Sequence, residues 1–158
     1  MRWQEVCEDP WLHDLPYKIE LNEYGKIVMS PQKVYHSILQ GKIENLLRQF
    51  QQVGEVFPEC AIHTDRGTKV ANVVWVPEER YQIIKREAAC SISPELCVEI
   101  FSDSNTREEM DEKKALYFAR GAEEFWLCHE NGDIEFFDGS GQTNTSRLVP
   151  NFLNKVAL

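Results

Sequence analysis

Two polar residues interrupt otherwise apolar runs in this chain, and a lysine is spaced to answer one of them. Leu96 to Phe101 is a short apolar stretch carrying a single carboxylate, Glu99. Such a run reads as a buried strand. Its alternation puts Cys97, Glu99 and Phe101 on one face and Leu96, Val98 and Ile100 on the other. An ionised carboxylate there is costly unless it meets a cation, a metal or a proton. Lys69 to Val76, KVANVVWV, is a second strand, and period 2 sets Val70, Asn72, Val74 and Val76 on one face. If buried, Asn72 must be hydrogen-bonded. The segment after Glu99 can supply a cation. Ser104 or Asn105 can cap a helix, Asn105 and Glu108 have capping-box spacing, and Gly121 fits just past the helix end. On that helix Glu109, Lys113 and Tyr117 recur at i, i+4 and i+8. A strand–turn–helix return can therefore bring Lys113 over Glu99. Two chemistries match: a buried ion pair that fixes strand register, or an active-site carboxylate served by a lysine.

The elements that must position these residues follow in chain order. Met1 to Pro16 reads as an arm or short helix packing by Trp3 and Trp11. Tyr17 to Leu21 and Lys26 to Met29 form a hairpin around the turn composition of Asn22 to Gly25. Ser30 and Pro31 open a helix through Gln52, with Leu39, Ile43, Leu46, Leu47 and Phe50 as its apolar stripe. His36 and Glu44 lie on it two turns apart. A histidine near a helix start more often packs than catalyses. Gly54 to Thr64 is a strand interrupted by Pro58, and Asp65 to Gly67 is a turn. Pro77 to Ala89 is a short helix or loop, and Glu123 to His129 is a strand. Asn131-Gly132 turns it into a partner at Asp133 to Phe137. Arg147 to Val149 suggests a last strand, and Phe152 anchors the tail. The order predicts an α+β, or mixed α/β, fold: a mixed sheet flanked by helices, in one domain over residues 1–158.

Bulk properties narrow the function classes. The 158 residues suffice for a sizeable core, and the formal net charge is -9. That charge argues against broad non-specific nucleic-acid binding, while leaving room for a local patch or an acidic cation site. Five scattered cysteines, with no CxxC pair, argue against a zinc centre and for buried thiols. Reduced cysteines and the lack of a signal peptide suggest the cytoplasm. No apolar stretch approaches a membrane span, so no membrane role is expected.

The ordered set of pieces resembles the Uma2 family, within the PD-(D/E)XK nuclease superfamily. YKIELNEYGKIVMSP with His36 is similar to its opening hairpin and helix. KVANVVWV is similar to the strand that usually begins Pro-Asp, and SPELCVEIFSDSN to the next. Lys113, Tyr117, Gly121 and Phe125-Trp126 fall on a later segment, and LVPNF matches the usual close. The resemblance implies a restriction-endonuclease-like mixed sheet and a metal-dependent endonuclease acting on DNA with Mg²⁺ or Mn²⁺. It implies Glu99 as the second metal-binding carboxylate and Lys113, moved onto the following helix, as the catalytic lysine. Position 101, where the superfamily lysine usually stands, is Phe. Lys114 is turned away by about 100°. The first carboxylate of the family is replaced by Asn72, so the ion would rest on Glu99, Asn72 and a backbone carbonyl, that of Ile100. Mg²⁺ is usually held by one or two carboxylates plus waters and phosphate oxygens, and Asn72 keeps an oxygen but loses the charge. The chain is then either an enzyme that recruits Asp65, Glu44 or another acid, or a silent nuclease fold used for binding or assembly. A homodimer is the analogy-based expectation.

Overall fold

The computed structural model describes all residues 1–158. The elements are α1 (Trp3–Glu8), β1 (Tyr17–Leu21), β2 (Ile27–Pro31), α2 (Val34–Phe50), β3 (Glu55–Thr64), β4 (Gly67–Val76), α3 (Glu78–Ile84), β5 (Leu96–Ile100), α4 (Arg107–Ala119), β6 (Glu124–Cys128), β7 (Ile134–Asp138) and β8 (Gly141–Thr143). A 3₁₀ turn, Pro10–Leu12, follows α1. β3 to β8 form a six-stranded sheet in sequence order, while β1 and β2 form a separate hairpin. All ladders are antiparallel except β5–β6, whose parallel strands are joined by the α4 crossover. The expected mixed sheet flanked by helices is present.

Apolar residues fill both faces of the sheet. On one side Leu39, Ile43 and Leu47 of α2 pack on Val73, Val98 and Trp126. On the other, Ile84 of α3 with Met110 and Tyr117 of α4 packs on Val74, Cys97 and Phe125. Phe152 anchors the C-terminal segment against Trp126, with ring centroids 4.6 Å apart.

Several boundaries differ from the sequence reading. Ser30 and Pro31 end β2 instead of opening α2, whose N-cap is Lys33 with no side-chain cap bond. The hairpin partner of β1 continues to Pro31, so strand pairing takes those residues before the helix can. Helix α4 is capped by Thr106, whose hydroxyl accepts from the Glu109 amide at 3.1 Å. Asn105 instead serves the preceding turn, where its side-chain oxygen accepts from Ser102. Pro58 lies within β3 without ending it; β3 is an edge strand, where a missing N–H is tolerated. Arg147–Val149 is not a strand, and the last strand is β8. Trp11 is 86% exposed and anchors nothing.

Candidate active site

The inward face of β1 is inverted. Tyr17 is exposed and Ile19 partly so, while Lys18 and Glu20 are buried. That inversion is explained by Glu99, which is 1% exposed on β5. Glu99 accepts hydrogen bonds from Lys18 Nζ at 3.2 and 3.3 Å, from Lys113 Nζ at 3.3 Å and from the Tyr117 hydroxyl at 3.2 Å. Lys113 Nζ also lies 2.7 Å from Glu20 Oε2. The same Glu20 oxygen accepts from the Val70 amide of β4 at 2.7 Å. Two carboxylates and two ammonium groups, from β1, β5 and α4, thus alternate in one buried cluster.

The electrostatics follow from that alternation. Burial works against a charged Glu20, but Lys113 and Lys18 outweigh it and hold the carboxyl at about 2. Burial also works against the Lys113 ammonium, and Glu99 with Glu20 reverses this, raising the lysine above its usual range. The Tyr117 phenol is pushed well up by burial and by the Glu99 carboxylate, so it acts as a donor. The helix spacing that grouped Lys113 with Tyr117 is what delivers both to Glu99. Lys114 turns away and sits over the Phe137 ring, 4.1 Å from its centroid.

Asn72 is fully buried and does a backbone's work. The β4–β5 ladder stops at Val73↔Val98. Beyond it, Asn72 Oδ1 accepts from the Ile100 amide at 2.9 Å, and its Nδ2 donates to Gln40 of α2 at 3.2 Å. The side chain reaches α2 because alternation slips here. The β3–β4 ladder pairs Pro58 with Val73 and Cys60 with Ala71, and Glu59 between them has φ of 54°. Val73 and Trp75 pack on the α2 side, whereas Ala71 joins Val74 and Val76 on the other. Strict period 2 along KVANVVWV therefore does not hold. Glu99 and Lys113 are brought together; Asn72 has no hydrogen bond to either, although its partner Ile100 lines the same cavity as both.

That cavity, ≈ 20 Å³, is walled by Lys18, Glu20, His36, Glu99, Ser102 and Lys113, among others. Glu20 and Lys113 also line a neighbouring groove of ≈ 290 Å³, with Lys69, Asn105 and Glu112. The other acids considered lie elsewhere. Glu44 pairs with Arg48 at 2.6 Å, and Asp65 is an exposed side chain 3.9 Å from Arg120. Lys18 and Glu20 are the residues that sequence reasoning passed over. Their signal was a charged pair at i, i+2 in a strand whose other face carries Tyr17 and Ile19. Glu124 is a further buried carboxylate without a cation, satisfied by Trp126 Nε1, the Ser146 hydroxyl and the amides of Arg147 and Leu148. It ties down the C-terminal segment.

Glu20 and Glu99 are the carboxylates that could hold a divalent ion of the Mg²⁺ class. Carboxylate oxygens of Glu20 and Glu99 reach one common point, where Lys113 Nζ now sits. No cluster of three or more His, Cys, Asp or Glu side chains could cage a metal. Mg²⁺ needs no such cage, since water and phosphate complete its shell.

Comparison with known proteins bears on the family and the fold. Residues 10–154 match the model of the family described as "Uma2: Putative restriction endonuclease". A crystal structure from Anabaena variabilis ATCC 29413, described as "a putative nuclease belonging to DUF820", superposes with a TM-score of 0.71. It covers 98% of this chain and 94% of its own at 16% identity, a likeness of fold. A search of curated proteins finds no match. Because the family model matches residues 10–154, most of its length, the chain belongs to the Uma2 family.

Proposed function

We propose that the protein is a metal-dependent endonuclease that hydrolyses phosphodiester bonds of DNA at the Glu99 cluster. The observation that carries this reading is the convergence of Glu20 and Glu99 on the Lys113 ammonium. Glu20 is the acid recruited where the family's first aspartate is Asn72. Asn72 Oδ1 already accepts from the Ile100 amide, so it offers the ion only its second lone pair, beside the Ile100 carbonyl. Mg²⁺ or Mn²⁺, held by Glu99 and Glu20 with Asn72 and Ile100 alongside, would polarise the phosphate and lower the pKa of a bound water. Lys113, permanently charged, would leave its place between the carboxylates and stabilise charge developing on phosphate oxygens. Tyr117 and Lys18 hold the Glu99 carboxylate in place meanwhile. The formal net charge of -9 predicts weak, salt-sensitive DNA binding confined to the groove beside Lys69 and Lys113. Cutting both strands would call for a homodimer.

A second reading has its own support. Lys18 and Lys113 already balance Glu20 and Glu99, so the cluster is neutral and complete as a structural element. A silent nuclease fold, used for binding or assembly, would keep it for stability. Plasmid cleavage with Mn²⁺ or Mg²⁺ separates the two. The endonuclease reading expects nicking that Glu99→Gln abolishes, and thermal melts raised by Mn²⁺ in the wild type but not in Glu99→Gln. Absence of both effects in the wild type leaves the silent scaffold standing.

A further inference from the structure

His36 is the titratable side chain of the cluster that the ion pairs do not use. It lies in the first turn of α2 and is 4% exposed, and its ring Nδ1 is buried without a hydrogen-bond partner. A buried neutral imidazole carries one N–H and one bare nitrogen, and with no protein group on Nδ1 that atom is free to be the acceptor. The ring lines the ≈ 20 Å³ cavity together with Glu99, Lys18 and Ser102. That volume holds one water, and the polar wall supplies the several partners a buried water needs. The partners differ in kind. Lys18 and Lys113 only donate, and the Glu99 oxygens already serve Lys18, Lys113 and Tyr117. His36 Nδ1 is a fully buried polar atom of this wall left without a partner.

We infer that His36 is a water-positioning residue of the hydrolytic site: its unpartnered ring nitrogen accepts from a water in the cavity beside Glu99 and orients that water for attack on a phosphodiester. The water oxygen forms the new P–O bond as a P–O ester bond breaks, the water's proton is lost to solvent, and the leaving ester oxygen takes up a proton from solvent. The inference rests on the nuclease reading and adds to it the residue that fixes the nucleophile. A water whose proton is committed to His36 has a lone pair directed away from the ring. Hydrophobic substitution would leave that water without an acceptor, whereas glutamine keeps one.

The test uses the full-length protein and two measurements. A high-resolution crystal structure of the wild type is expected to show an ordered water about 3 Å from the ring nitrogen, absent from His36→Leu. A dry cavity, or a ring nitrogen bonded to a protein group, overturns the inference. Mn²⁺-dependent plasmid nicking is then compared among wild type, Glu99→Gln, His36→Gln and His36→Leu. Expected is a loss of roughly 100-fold in kcat for His36→Leu, with KM and the Mn²⁺-induced rise in Tm unchanged and partial recovery in His36→Gln. A wild type that cleaves, is silenced by Glu99→Gln and is matched by His36→Leu overturns the His36 inference alone. A wild type that does not cleave overturns the nuclease reading together with it.

Discussion

At the scale of the residue, Glu99 is defined by its three donors. Removing one member of a buried charge pair leaves the other uncompensated. Lys113→Ala is expected to cost about 3–5 kcal/mol, read as a lowered Tm without metal. Mn²⁺ should return part of that loss by binding only the folded state, since the substitution vacates the point between Glu20 and Glu99. An unchanged Tm in metal-free buffer would show that the pair contributes nothing. Tyr117→Phe removes one hydrogen bond to a charged acceptor and should cost about 1.5–3 kcal/mol in denaturant unfolding. Asn72→Asp tests the missing charge. A third carboxylate would join a cluster that two lysines now balance, so one acid should titrate with a raised pKa and the metal-free protein should lose stability. Mn²⁺ should recover the loss and increase cleavage; if the Asn72→Asp protein shows neither effect, Glu20 stands as the sole companion of Glu99.

At the scale of the element, α4 acts as the arm that carries Lys113 and Tyr117 to the sheet. Its start depends on Thr106, whose hydroxyl satisfies the Glu109 amide. Thr106→Ala is expected to cost about 1 kcal/mol, and Thr106→Ser far less. Equal melting temperatures for the two variants would argue that packing alone sets the helix start. The β4 kink has a comparable role. Because alternation slips between Ala71 and Val73, Asn72 closes the gap where β4 and β5 part, and Ile100 keeps a partner for its amide. Strand periodicity could be read along β4, but the slip could not. It coincides with the left-handed backbone of Glu59, which lies between the Pro58↔Val73 and Cys60↔Ala71 pairs of the neighbouring strand.

At the scale of the whole molecule, the buried cluster makes the fold sensitive to acid. His36 titrates at about 4 folded against its usual 6.5, so the unfolded chain binds the proton first and stability falls as pH drops from about 6.5 toward 4. After allowance for solvent screening, the loss is on the order of 2 kcal/mol. Glu20, at about 2 folded against 4.5, adds a loss in the same direction from about pH 4.5 downward. Urea unfolding at pH 7, 5.5 and 4 checks the sign, and His36→Leu should flatten the upper part of the slope. Stability that rises on acidification would contradict the buried, neutral histidine.

Much of this was written in local sequence. LCVEIF announced a buried carboxylate, the i, i+4 spacing of Lys113 and Tyr117 aimed both at one target, and Asn131-Gly132 announced the β6–β7 hairpin. These rest on contacts within one element or between neighbours, where periodicity is a physical constraint. Tertiary structure alone decided who shares the site. Lys18 and Glu20 reach Glu99 and Lys113 from a hairpin far upstream, with Lys18 and Glu99 81 positions apart in the chain. Asn72 was legible as a buried polar group, but its partners, Ile100 and Gln40, depend on where two strands diverge and on the helix lying across them. A buried charge declares in sequence that it needs a counter-charge; only the packing of distant elements determines which one arrives.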